Sequence, residues 1–155
     1  MQRHNSQSRL PREIRAASSC QPWQGTLRKI RPESRIDGDG QAMPPGTITL
    51  GYFLHGHLRG SAQIIPFGRR KRETAEVRLS VDAAWQNCGV GTMLMNGVIE
   101  HARGRSIGGL HLRCHALNVR MQRLAEKFGA AIGFEGSACF ARLEVASVAT
   151  CHGGG

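Results

Sequence analysis

The sequence predicts an α+β domain: a mixed β-sheet with flanking helices, built around a central β-α-β-α unit. Three observations predict it. AEVRLSV (75–81) and LHLRCHA (110–116) alternate apolar and polar residues, the period of a half-buried strand. Between them Val90, Leu94, Val98 and Ala102 recur near helical spacing, with Met93 and Gly97 on the same side. A strand, a helix and a strand in that order imply parallel neighbours joined by a right-handed crossover.

The elements follow in order. ITLGYFL, Ile48 to Leu54, is rich in strand formers, and HGH turns the chain around Gly56. LRGSAQII, Leu58 to Ile65, is the returning strand, which Pro66 ends because proline donates no ladder hydrogen bond. The strand AEVRLSV comes next, then the turn AAWQNCGVG and the amphipathic helix. Gly104 and the pair Gly108-Gly109 mark the helix exit. After LHLRCHA, Asn118 stands where a helix cap belongs. Met121, Leu124, Ala125 and Phe128 form an apolar stripe, which reads as core packing, and Gly129 stops the helix. CFARLEV, Cys139 to Val145, is the last strand. From Thr47 onward the expected order is β-β-β-α-β-α-β.

With 155 residues, of which 40% are hydrophobic, the chain suits one domain with a real core. Residues 1–45 read as a basic, poorly structured or divergent segment, 46–147 as the folded domain and 148–155 as a flexible tail. No apolar run is long enough to cross a membrane. The opening MQRHNSQSRLPREIR lacks the apolar stretch of a secretory signal. The five cysteines are odd in number and contain no CxxC pair, which argues against a disulfide framework or a zinc ribbon. They read as reduced thiols of a cytoplasmic protein.

The net charge of +10 is concentrated before position 36 and in the run Arg69-Arg70-Lys71-Arg72. Such charge attracts phosphates of any kind, or is simply solvated. Aromatic residues are only 5%, too few for a stacking surface, so nucleic acid is not the expected partner. His55 and His57, two apart, would converge on a strand, but no third ligand is evident and no metal site is expected.

The segment that carries chemistry is Glu76 to Gly129. Gln86-Asn87-Cys88-Gly89-Val90-Gly91 lies between a strand and an amphipathic helix. Gly89 and Gly91 let the backbone approach a bulky ligand and adopt unusual dihedrals. The helix that follows aims its free N–H groups and positive dipole end at the turn, a ready site for a diphosphate. Cys88 at a helix N-terminus also admits a nucleophile reading, but no His–Asp pattern accompanies it.

At these residues the chain resembles the GNAT acetyltransferase superfamily. Gln86, Gly89 and Gly91 match its strand–helix turn, Gln or Arg, two residues, Gly, one residue, Gly or Ala. NVRMQRLAEKFGA, Asn118 to Ala130, is similar to the family's second helix, Asn-x-x-(apolar)-x-x-Leu-(small)-x-Lys-x-Gly. The two matches span roughly Thr74 to Ala130, and protein-lysine acetyltransferase-like bacterial members are the nearest comparison.

The resemblance implies acetyl-CoA as co-substrate, attacked directly by an amine-bearing small molecule or protein in a ternary complex. It implies that two neighbouring strands splay, freeing backbone groups of Leu79 to Val81 for the pantetheine arm. It places the phosphates on the N–H groups from Cys88 through Gly89, Val90 and Gly91 to Thr92, and the arm against Asn118. Glu76 opens the motif strand, where several members, protein-lysine acetyltransferases among them, carry a glutamate base. Folds of this kind are commonly homodimers.

Three departures stand out. Asn87 and Cys88 occupy places where the family usually has Gly and a basic residue. Tyr52 is the only tyrosine, so no late tyrosine protonates the leaving thiolate. The segment before Thr47 does not resemble the usual first strand and helices. These departures leave open an alternative: an acyl-CoA-binding module with little catalysis, acting in regulation or interaction.

Overall fold

The computed structural model describes residues 24–31, 42–67 and 73–146. The elements are β1 (Thr26–Ile30), β2 (Ile48–Leu54), β3 (His57–Phe67), β4 (Glu73–Val81), α1 (Val90–Gly104), β5 (Ile107–His115), α2 (Val119–Lys127), β6 (Ala131–Glu135) and β7 (Ala138–Glu144). A short 3-10 turn, Ala83–Trp85, precedes α1. The basic run at positions 69–72, Cys20 and Cys151 lie outside the described residues.

The strands form one seven-stranded sheet in the order β1-β2-β3-β4-β5-β7-β6. The β4–β5 pair is parallel and the others are antiparallel. This is the expected mixed sheet with its central crossover through α1. Two strands were not anticipated. β1 lies before Thr47, and β6 follows α2; they are the two edges of the sheet.

β2 and β3 close through His55 and Gly56, both at positive φ (51° and 78°). Such a two-residue turn matches the right-handed twist of the strands it joins. His55 thus sits in the turn while His57 opens β3, so the two do not share a strand face. Among the described residues no group of three or more His, Cys, Asp or Glu is placed to hold a metal ion.

Pro66 does not end β3. The strand runs on to Phe67, with Pro66 opposite Ala75 of β4. β2 reaches only as far as the Ile48↔Ile64 pair, so Pro66 has one neighbouring strand and its missing donor breaks no second ladder.

α1 buries Val90, Leu94, Met95, Gly97, Val98 and Ala102. They pack on Leu50, Ala62, Ile64, Ala75, Val77, Leu110 and Leu112 from four strands. Met121, Leu124 and Phe128 of the α2 stripe, with Ala125, join this cluster next to Ala141 and Leu143 of β7. Both helices therefore cover one face of the sheet. Side chains that alternate with these, among them Glu76, Arg78, His111, Arg113, Phe140 and Arg142, stand on the other face, which no helix among the described residues covers.

Leu94 is 0% exposed at the centre of the cluster. Leu94→Ala should lower the unfolding free energy by about 2–5 kcal/mol in urea melts, the range for a large-to-small change in a packed core.

Candidate functional site

The parallel ladder between β4 and β5 runs from Glu73↔Ile107 to Val77↔Leu112 and stops there. Both strands continue beyond it. β4 stays paired with β3 to the Gly60↔Val81 pair, and β5 stays paired with β7 to His115↔Ala138. The sheet therefore splits, with residues 78–81 on one lip and 113–115 on the other.

The direction of the exposed backbone groups follows from strand geometry. Asp82 N–H donates to the Arg59 carbonyl at 2.9 Å, on the β3 side. Alternate residues face alternate ways, so Leu79 and Val81 turn their N–H and C=O groups into the split. Gln86 Nε2 meets the Val81 carbonyl from that side at 3.2 Å.

The loop under the split is anchored by Trp85, which is buried. The Arg59 guanidinium lies 4.6 Å from the Trp85 ring centroid and pairs with Asp82 at 3.8 Å. Asn87 (φ 61°) and Gly89 (φ 85°) then turn the chain through left-handed backbone into α1. Gly89 is the N-cap and no side chain caps the helix. Met93 N–H, bonded to the Gly89 carbonyl at 3.1 Å, closes the first helical turn. The amides of Val90, Gly91 and Thr92 precede it and have no intrahelical acceptor. Gly91 does not share the left-handed conformation of Gly89. It serves close approach instead: a Cβ there would lie 3.2 Å from Leu124 Cδ2 on α2.

These parts enclose a cleft of about 490 Å³, a volume suited to a small-molecule ligand. Leu79, Ser80, Val81, Gln86, Asn87 and Gly91 line one wall, and Asn118, Arg120, Met121, Arg123, Leu124 and Lys127 of α2 line the other. Cys88, Gly89, Val90 and Thr92 complete the turn beside it. Asn118 caps α2, its Oδ1 accepting from Met121 N–H at 3.2 Å. Arg120 donates to Gln86 Oε1, so Gln86 ties the end of β4 to α2. Lys127 Nζ donates to Thr92 Oγ1 at 3.2 Å, tying the end of α2 to the start of α1.

The cations of the cleft thus come from α2 and not from the loop, where Cys88 replaces the basic residue of the resembled motif. Arg120 and Arg123 are functional candidates that the sequence reading passed over. Their signal was present: positions 120, 123 and 127 fall on one helical face.

Glu76 is half-buried on the helix-free face, at the root of the split. Arg78 Nε donates to its Oε1 at 2.7 Å. It borders a second hollow of about 610 Å³ with Phe67, Arg78, His111, Arg113, Phe140 and Arg142. Tyr52 is 0% exposed in the core and is closed off from both cavities. Cys114 and Cys139 face each other across β5 and β7. Burial, then the neighbouring Cys139, pushes the Cys114 thiol up to about 11, so it stays protonated at neutral pH.

The acetyltransferase (GNAT) family model matches residues 14–130. No curated protein matches the chain. Among solved structures, the chain is similar to an acetyltransferase of the GNAT family from Streptococcus pneumoniae, with 20% identity, a TM-score of 0.63, and 79% of this chain and 99% of that one covered. It is similar to a putative acetyltransferase of Salmonella typhimurium solved with its cofactor acetyl-CoA, with 21% identity, a TM-score of 0.57, and 67% and 68% covered. It is also similar to an N-acetyltransferase of Campylobacter jejuni in complex with acetyl coenzyme A, with 17% identity, a TM-score of 0.55, and 66% and 70% covered. At these identities the likeness speaks for the fold.

The helix cap supplied by Asn118 can be tested directly. Asn118→Ala should cost about 1 kcal/mol in urea unfolding through loss of the helix cap. Asn118→Asp, which keeps an acceptor oxygen, should retain most of that stability.

Proposed function

The chain belongs to the acetyltransferase (GNAT) family, and from that premise we propose that it moves an acetyl group from acetyl-CoA to an amine. The observation that carries the reading is the split of β4 from β5 beyond Val77↔Leu112, set over the uncapped N-terminus of α1.

The residues of the cleft fit the co-substrate. The Val90, Gly91 and Thr92 amides and the positive end of α1 suit a diphosphate. Arg123 and Lys127, which line the same cleft, add the charge that the loop lacks. Leu79 and Val81 offer backbone groups to the pantetheine arm in the manner of an added strand. Gln86 releases the Val81 carbonyl for that purpose, and the Asn118 amide group faces the arm. Cys88 and Gly89 shape the turn that brings these groups together.

Acetyl-CoA supplies a thioester carbonyl activated toward amines. The protein's task is to present a neutral amine to it. An alkyl amine has a pKa of roughly 10, so most of it arrives as ammonium at neutral pH. Glu76, at the root of the split, takes that proton directly or through water. The amine then attacks in the ternary complex without a covalent enzyme intermediate. With Tyr52 buried, no tyrosine among the described residues assists the leaving thiolate, whose pKa near 8.5 makes such help dispensable.

A second reading, an acyl-CoA-binding module with little catalysis, is favoured by one observation: Arg78 holds Glu76 in an ion pair at 2.7 Å. The two readings separate experimentally. Acetyl-CoA at about 100 times its Kd should stabilise the protein by roughly 2.7 kcal/mol, seen as a higher Tm. Thiol release with a panel of amines should then report turnover, and none with any amine would leave the binding module. Glu76→Gln should lower kcat by roughly 10²–10⁴-fold while the acetyl-CoA shift in Tm persists. Unchanged turnover would remove Glu76 as the base.

A further inference from the structure

We propose that the hollow on the helix-free face binds the acceptor, and that it selects an amine that also carries a carboxylate or a phosphate. The inference rests on the acetyl-transfer reading and concerns the other side of the same split.

The hollow has both position and shape for this role. Its floor is a row of side chains on adjacent strands, Glu76, His111 and Arg142, in direct register. With strands about 4.8 Å apart, the outer members stand about 10 Å from each other at the backbone. One step along the strands stand Arg78 and Arg113, on opposite lips of the split. Phe67 and Phe140, 47% and 40% exposed, form apolar walls. The Phe67 ring centroid lies 5.3 Å from that of His111 with the rings tilted by 56°, and the Arg113 guanidinium lies 5.4 Å from the Phe140 centroid. A volume of about 610 Å³ lies in the range of small-molecule sites.

The charges choose among amines. Arg78, Arg113 and Arg142 line the hollow together with a single carboxylate, that of Glu76. Glu144, 3.8 Å from Arg142, lies outside the lining. Among the described residues no carboxylate pairs with Arg113. A polycation or a lysine-rich peptide meets like charge here. A molecule bearing both an ammonium and an anion matches the Glu76–Arg78 pair as its complement. Its anion takes the guanidinium, which frees Glu76 to receive the ammonium proton.

The transfer step then balances. The ammonium gives one proton to Glu76, the nitrogen forms the N–C bond, and the C–S electron pair leaves with sulfur. The second nitrogen proton neutralises the thiolate, and Glu76 returns its own to solvent.

Matched pairs test the idea: L-phenylalanine against 2-phenylethylamine for a carboxylate, and O-phosphoethanolamine against ethanolamine for a phosphate. Binding would be measured by calorimetry with CoA present, and turnover by thiol release with acetyl-CoA. At least one anionic member should bind or react at least tenfold better than its partner, and the pair that shows this identifies the anion. Arg78→Ala should bring that ratio toward one, Arg113→Ala and Arg142→Ala should each lower it, and Arg78→Lys should keep part of it, while acetyl-CoA still raises Tm. Equal behaviour within both pairs, or better turnover of a lysine peptide, with the acetyl-CoA shift intact, would overturn the anionic preference and leave the acetyl-transfer reading standing. Absence of any acetyl-CoA shift would overturn both.

Discussion

The structure turns on one interrupted ladder. β4 and β5 are the sheet's one parallel pair, and they part after Val77↔Leu112. The interruption is tolerable because neither strand is left alone: β3 holds β4 to its end, and β7 holds β5. A buried backbone group without a partner is costly, and unpaired strand lips are stable only where something else satisfies them. Here Gln86 meets the Val81 carbonyl, and the rest of the lip opens on a cleft. The groups proposed to act are arranged about this opening: an uncapped helix below, basic residues on α2 to one side, and Glu76 at the root on the opposite face.

How much of this was legible in the sequence depended on burial. β4, α1, β5 and the stripe of α2 each bury one face, so their apolar residues repeat at the period of the element. β1 and β6 are the two edges of the sheet. Thr26–Ile30 and Ala131–Glu135 are largely exposed, and at five residues each they are too short for a period to stand out. Pro66 misled for a related reason. The rule that proline ends a strand holds for strands paired on both sides, and the sequence does not give the register that sets Ile48 opposite Ile64 and leaves Pro66 beyond the end of β2.

In the candidate site, the turn was readable because Gly89 and Asn118 are single residues with single local tasks, a left-handed bend and a cap. Gly91 was readable as important but not for its reason, since contact with Leu124 is tertiary. The charge supplied by Arg120 and Arg123 was hidden in plain view. Basic residues on a helix face normally mean solvent, and only the position of α2 beside the split gives them another meaning.

α2 itself is lightly anchored. Ala125 is its one buried residue, and its ends are held by polar ties, Arg120 to Gln86 and Lys127 to Thr92. Docking of this helix is therefore thermodynamically linked to whatever fills the gap beside it. An anion bridging Lys127 and the first turn of α1 tightens the same joint that those ties make. Filling the cleft and suppressing the local opening of α2 are one free-energy change, and slower amide exchange along that helix is its natural signature.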